Sequence, residues 1–99
     1  MANIQNIEVG QVGKYYQMTS LATAKDVPGI HAGSGPGCRV LIQALGQNVR
    51  YIIGGGTPTG TVGVRLHATE THTLNVAPGT VIKVIEEATS AEVNVQVFN

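Results

Sequence analysis

The stretch AEVNVQVF, residues 91–98, carries the clearest structural signal in the chain. Its valines stand at every second position, and Glu, Asn and Gln occupy the positions beside them. Because successive side chains of a β-strand point to opposite faces, this period of two predicts a strand with one buried face, made by Val93, Val95 and Val97.

Seven further runs have the length and composition of short strands, and turn-forming residues separate them. They are NIQNIEVG (3–10), GKYYQMTS (13–20), CRVLIQAL (38–45), NVRYIIG (48–54), GVRLHA (63–68), THTLNVA (71–77) and TVIKVIEE (80–87). No window has a helical period, and 13 glycines disfavour long helices. The chain is therefore predicted to be all-β, a single-domain β-sandwich or barrel-like fold of about eight short antiparallel strands.

Three segments carry predictions of their own. Gly46-Gln47 separates two of the runs, 38–45 and 48–54, and predicts a β-hairpin. Residues 22–37 are rich in glycine and proline, and predict a long irregular segment that crosses between sheets or extends over a partner. The run 80–87 has apolar residues at both odd and even positions, which predicts a strand buried on most of both faces.

Composition and charge narrow the possible functions. The 99 residues suit one domain, and six basic and six acidic residues give a net charge of zero. Only 12% of the residues are charged, so we expect no nucleic-acid binding, which depends on Lys and Arg. Surfaces near zero net charge tend to associate, so we expect a protein that works in an assembly.

The cysteine count and the apolar runs indicate in which cellular compartment the protein is made. Cys38 is the only cysteine, which excludes an internal disulfide and a Cys-rich zinc site. The residues Met-Ala-Asn-Ile-Gln at the start lack the pattern of a signal peptide. No apolar run approaches the roughly 18 residues of a membrane span, so we expect no membrane partner and synthesis in the cytoplasm.

Two glycine-rich stretches suggest phosphate binding at first sight. YIIGGGTPTGTVGVRL (51–66) lacks the lysine of a Walker A loop, and a strand follows where such a loop needs a helix. HAGSGPG (31–37) lacks the preceding strand and following helix of a dinucleotide-binding fingerprint. Both are predicted to turn the chain, and the first can present its tip to a neighbour.

HATETH (67–72) offers His67, Glu70 and His72 as metal ligands. On a strand, positions 67 and 72 point to opposite faces, so the three side chains meet only if a turn separates them. We expect surface histidines here and no metal or cofactor. Cys38 at a strand start and the diverging Glu86-Glu87 pair provide no nucleophile and base, so we predict that the chain is not an enzyme.

The first twenty residues admit two interpretations. Ile4, Ile7, Val9 and Val12 precede the pair Tyr15-Tyr16. These residues are either ordinary first strands of the sandwich or an arm that adds a strand to a neighbouring subunit.

The second half of the chain, from about Val40 to Phe98, resembles small virion proteins of tailed bacteriophages. The order and spacing of several elements agree with that group, although Gly54 to Gly56 stand where the group often has an Asp-Gly turn. The matching residues are Val49-Arg50-Tyr51, Thr57-Pro58-Thr59, Gly63, Ile82-Lys83-Val84-Ile85, Ala88-Thr89-Ser90-Ala91 and Asn94-Val95.

The resemblance implies a β-sandwich protein on the capsid exterior of the virion, a decoration or cement protein that binds the major capsid protein as a homotrimer. Two other functions remain open: a small tail or neck component, and a carbohydrate- or metal-binding β module that uses HATETH. The residues expected at interfaces are Ile4, Ile7, Val9, Tyr15, Tyr16, Thr57, Pro58 and Thr59.

Overall fold

The computed structural model describes residues 13–31 and 37–98, which form eight β-strands and no helix. The strands are β1 (Gly13–Met18), β2 (Lys25–Asp26), β3 (Cys38–Leu45), β4 (Val49–Ile53), β5 (Val64–Leu66), β6 (Thr71–Val76), β7 (Ile82–Glu86) and β8 (Glu92–Phe98). They form two antiparallel sheets of four strands. The predicted all-β sandwich is therefore confirmed.

The first sheet has the strand order β1-β8-β3-β6, and the second has the order β2-β7-β4-β5. Alternate residues of both sheets point inward and form one apolar core between them. The three valines of β8 are fully buried there, as the period of two predicts. The other buried apolar residues are Met18, Leu21, Val27, Cys38, Val40, Ile42, Ala44, Val49, Tyr51, Leu66, Ile82, Val84 and Ala91.

The predicted hairpin of β3 and β4 is wrong, because the two strands belong to different sheets. β3 is flanked by β6 and β8, and β4 by β5 and β7, so neither strand has an edge free for the other. Gly46 makes the crossing with φ at 81°, and a Cβ there would lie 2.7 Å from the carbonyl oxygen of Ser90. Gly46 therefore lets the chain pass from the first sheet to the second instead of forming a hairpin turn.

The chain also changes sheet after β1. A crossing between sheets was one of the two interpretations given for residues 22–37. The chain leaves the first sheet at Met18 and enters the second at β2, a two-residue strand that the sequence did not predict. Residues 32–36 of this segment, and the predicted strand 3–10, lie outside the described residues. In the part of the chain that is described, no helix is long and apolar enough to cross a membrane.

Candidate interaction surface

One end of the second sheet exposes four large apolar side chains, and we call this group the apolar end. Ile53, Val62, Val64 and Val81 expose 43%, 52%, 51% and 38% of their surfaces. They lie where β4 ends and where β5 and β7 begin. The Gly54 N–H donates to the carbonyl of Val81 over 2.8 Å, which joins two of these segments.

Alternation along β5 explains why Val64 is apolar. Val64 pairs with Tyr51, and Leu66, two positions further along β5, pairs with Val49. Val64 therefore shares the inward-facing parity of Leu66, but Leu66 is fully buried and Val64 is half exposed. Val81 is 38% exposed, so it lies outside the buried part of the run 80–87, which was predicted to be buried on most of both faces.

The segments that form the apolar end contain few charged residues, although Arg50 Nη1 donates to the carbonyl of Gly63 over 3.0 Å, between Val62 and Val64. Residues 51–64 contain no Asp, Glu, Lys, Arg or His, and neither do residues 76–82. Depletion of charged side chains around exposed apolar ones distinguishes the centres of protein interfaces from ordinary surface. The chemistry of this end is therefore that of a contact surface.

The glycine-rich loop between β4 and β5 borders the apolar end. Gly54 and Gly55 have φ at 99° and 109°, values that favour glycine, so they turn the chain away from β4. Thr59 and Val62 then exchange backbone hydrogen bonds of 3.0 and 3.3 Å around a tight turn. The loop thus turns the chain and presents a compact tip.

The predicted interface residues of this loop have different environments. Thr57 and Thr59 are exposed, whereas Pro58 is fully buried. The side chain of Pro58 therefore packs inside the loop, and the two threonines belong to its exposed surface. Sequence reasoning did not single out Val62 and Val64, which are the most exposed apolar residues beside it.

The predicted tyrosines of β1 lie on the other sheet. Tyr15 is exposed on the outer face, where its hydroxyl donates to Asn94 Oδ1 over 2.6 Å. Tyr16 points the opposite way and packs against the core. The structure therefore does not bring the tyrosines together with the threonine tip, and Ile4, Ile7 and Val9 lie outside the described residues.

The side chains of HATETH do meet, because a turn separates the two strands. Thr69 has φ at 69°, and the Glu70 N–H donates to the carbonyl of His67 over 2.9 Å. Glu70 Oε1 then lies 3.2 Å from His67 Nδ1 and 3.6 Å from His72 Nε2. Within residues 13–31 and 37–98, however, no three His, Cys, Asp or Glu side chains are placed to hold a metal ion.

This cluster instead joins the two sheets. The hydroxyl of Tyr51, on β4, lies 2.9 Å from Nδ1 of His72, on β6. Burial, followed by the negative charge of Glu70, raises the pKa of Tyr51, so the phenol keeps its proton. Hydrogen bonds from the backbone and then the side chain of His67 lower the pKa of Glu70.

A second polar cluster lies on the outer face of the second sheet and was not predicted. Arg50 and Arg65 pair across β4 and β5, and the Nε of each lies 2.8 Å from Glu87 Oε2. The N–H of Arg65 is aligned for a hydrogen bond, whereas Nε of Arg50 is buried and forms an unaligned ion pair. The hydrogen bond from Arg65 and the charges of both arginines lower the pKa of Glu87.

No protein-family model, curated protein or solved structure matches the chain. The two polar clusters are both explained by contacts within the chain, since each links strands or sheets. The apolar end has no such internal explanation, because exposed valine and isoleucine gain stability only when another surface covers them. It is therefore the best candidate for a functional surface.

Proposed function

We propose that this chain is a structural protein of a tailed-bacteriophage virion, a capsid decoration protein that binds the head shell and stabilises it as a homotrimer. The observation that carries the proposal is the apolar end, where four β-branched side chains are exposed and residues 51–64 and 76–82 carry no charged side chain. The resemblance of residues 40–98 to small virion proteins supports the same role.

A decoration protein needs broad contact surface and no reactive site. Each buried Å² of apolar surface contributes about 25 cal/mol, so stability of the assembly grows with contact area. A contact surface without charged groups avoids the free-energy cost of removing water from ions. The four exposed side chains of the apolar end are uncharged, and the threonines of the neighbouring loop supply hydroxyl groups at its rim.

A closed trimer would give the apolar end a regular partner. Copies related by a rotation axis present the same surfaces to one another at every contact, so the assembly is closed and finite. In the proposed protein, the apolar end faces either the neighbouring copy or the major capsid protein. Both contacts remove the same four side chains from water.

Copy number per particle tests the proposal most directly. We expect mass spectrometry of purified virions to find about as many copies of this chain as of the major capsid protein. A handful of copies would assign the chain to the tail or neck instead. Absence from the particle would reject a virion role.

The surface itself is tested by placing a charge on it. We expect Val62→Asp and Val64→Asp to lower occupancy on the shell, or the oligomer mass measured by light scattering, because a carboxylate in a covered apolar contact is unpaired. Ala22→Asp, at an exposed position away from the apolar end, is the matched control. Equal occupancy and mass for all three variants would show that the apolar end is not the contact.

A further inference from the structure

The four edge strands of the sandwich differ in how they are protected against pairing with other chains. Exposed edges pair readily unless they are very short or carry charges or proline. β2 has two residues, both charged, and β5 has three, including Arg65. β1 carries Lys14 opposite Val97, on the side of the strand that faces the core. Three edges therefore have a protecting feature.

β6 is the exception. It is six residues long, has the sequence THTLNV, and contains no Lys, Arg, Asp, Glu, Pro or Gly. Among the described residues it pairs with β3 alone, which leaves its other side as a sheet edge. Its inward-facing Leu74 and Val76 pack against the core but are only partly buried. An added strand with apolar residues beside these two would extend the core.

Residues 1–12 contain a segment with the matching pattern. Ile7 and Val9 flank Glu8, the only charged side chain among these twelve residues. In an antiparallel register that places Glu8 opposite Asn75, Ile7 lies beside Val76 and Val9 beside Leu74. The apolar side chains then share the inner face of the sheet, and Glu8 shares the outer face.

The outer face of the first sheet carries a positive charge that can pair with Glu8. Arg39 is the neighbour of Asn75 on β3 and is exposed. None of the described acidic side chains forms an ion pair with Arg39. The long side chains of Glu8 and Arg39 can meet across Asn75, which gives the same register an electrostatic complement.

The segment cannot reach β6 of its own chain. β1 lies at the opposite edge of the sheet, so a strand beyond β6 is four strand spacings from Gly13, about 19 Å. The four residues from Val9 to Gly13 span at most about 14 Å. A strand that contains Val9 and pairs with β6 must therefore come from another copy.

We propose that residues 7–9 of one copy add as an antiparallel strand to β6 of a second copy. Backbone hydrogen bonds join the two chains, and Ile7 and Val9 cover Leu74 and Val76. This assembly does not depend on a role in the virion, since it is a property of the isolated chain. It also explains why β6, alone among the described edge strands, lacks a protecting charge.

Cysteine cross-linking tests both the register and the partner. The variant carries Glu8→Cys and Asn75→Cys in a Cys38→Ala background, and equal amounts of ¹⁴N- and ¹⁵N-labelled protein are mixed, unfolded, refolded and oxidised. We expect mass spectrometry to find a disulfide between residues 8 and 75 that joins light and heavy chains, because facing residues bring their Cβ atoms close enough. Ile7→Cys with Asn75→Cys is the matched control, since these side chains would lie on opposite faces.

A link within one chain, or no preference for position 8 over position 7, would overturn the proposal.

An affinity measurement provides a second test. Ile7→Lys with Val9→Lys should weaken self-association about a hundredfold, from the lost apolar burial of two side chains. Asn3→Lys with Asn6→Lys adds the same charge and should change it little. Equal association of both variants would contradict the proposal, and so would a wild-type chain that is monomeric at high concentration. If the cross-link forms but the chain is absent from virions, only the virion role is rejected.

Discussion

The two ends of the second sheet are built from the same strands but have opposite character. At the end where β4 begins, Arg50, Arg65 and Glu87 form ion pairs on the outer face of the sheet, and Leu66 is fully buried. At the end where β4 stops, Val64 and its neighbours are exposed, and residues 51–64 carry no charged side chain. One end is completed by contacts within the chain, and the other presents apolar surface to solvent.

The comparison shows that one sequence pattern can serve two purposes. β5 places apolar residues at alternate positions, whether or not the opposite sheet extends far enough to cover them. Where it does, the residue belongs to the core, and where it does not, the residue is available to a partner. Substitutions at matched positions of the two ends separate these roles.

The largest difference is expected between Leu66→Ala and Val64→Ala. Leu66 is fully buried, so its truncation should lower the free energy of unfolding by about 2–5 kcal/mol. Val64 is half exposed, and its truncation should change this quantity by about 0.5 kcal/mol or less. Urea unfolding of both variants checks the prediction, and similar losses would mean that Val64 belongs to the core.

A smaller difference is expected between the glycines that flank β4. Gly46→Ala should lower the free energy of unfolding by about 2 kcal/mol or more, because φ is positive and the new Cβ meets the Ser90 carbonyl. Gly54 also has positive φ, but its Cβ would meet no atom within 4 Å. Gly54→Ala should therefore cost less in the same denaturation experiment, and the reverse order would contradict the described crossing at Gly46.

The contact between the sheets is tested by Tyr51→Phe. Loss of the hydrogen bond between the Tyr51 hydroxyl and His72 should lower the free energy of unfolding by about 1 kcal/mol, because the tyrosine is buried. Tyr15→Phe removes an exposed hydrogen bond to Asn94 and is the matched control. Its effect on thermal or urea unfolding should be the smaller of the two.

The ion cluster should reveal itself through pH. The pKa of Glu87 is lower in the folded chain than in the unfolded chain. The ionised carboxylate therefore contributes its full stability above the ordinary carboxyl pKa, about 4.3. That stability is lost as the pH falls through the lowered pKa. Glu87→Gln should therefore lose less stability than the wild type between about pH 5 and pH 3. Urea titrations of both proteins at each pH check the prediction, and equal losses of stability over this range would contradict it.

The period of two along the chain was enough to predict the all-β sandwich, because half-buried strands impose that pattern on their residues. It failed at Gly46-Gln47, since a short turn signal does not reveal whether the next strand stays in the same sheet. It missed β2 because Lys25 and Asp26 carry no apolar alternation. The strand identities alone could not decide these points, which depend on contacts with distant strands.

The candidate surface was predictable only in part. Thr57 and Thr59 were predicted at an interface, which stays a prediction, and both side chains are exposed. Val62 and Val64 were not predicted, because they have the same local pattern as buried residues. The cluster of Arg50, Arg65 and Glu87 depends on the register between strands, which no local motif specifies. The predictions for Ile4, Ile7 and Val9 remain predictions.

The position of β8 has a consequence for how the chain is made. β8 lies between β1 and β3, and among the described strands it is the only partner of β1. A ribosome adds roughly 5–20 residues per second, so β1 waits about 4–16 seconds for its partner to be synthesised. During that time the apolar residues of β1 and β3 have no completed sheet to enter. Folding of the first sheet is therefore a late event, which depends on residues 92–98 leaving the ribosome before the earlier strands find other partners.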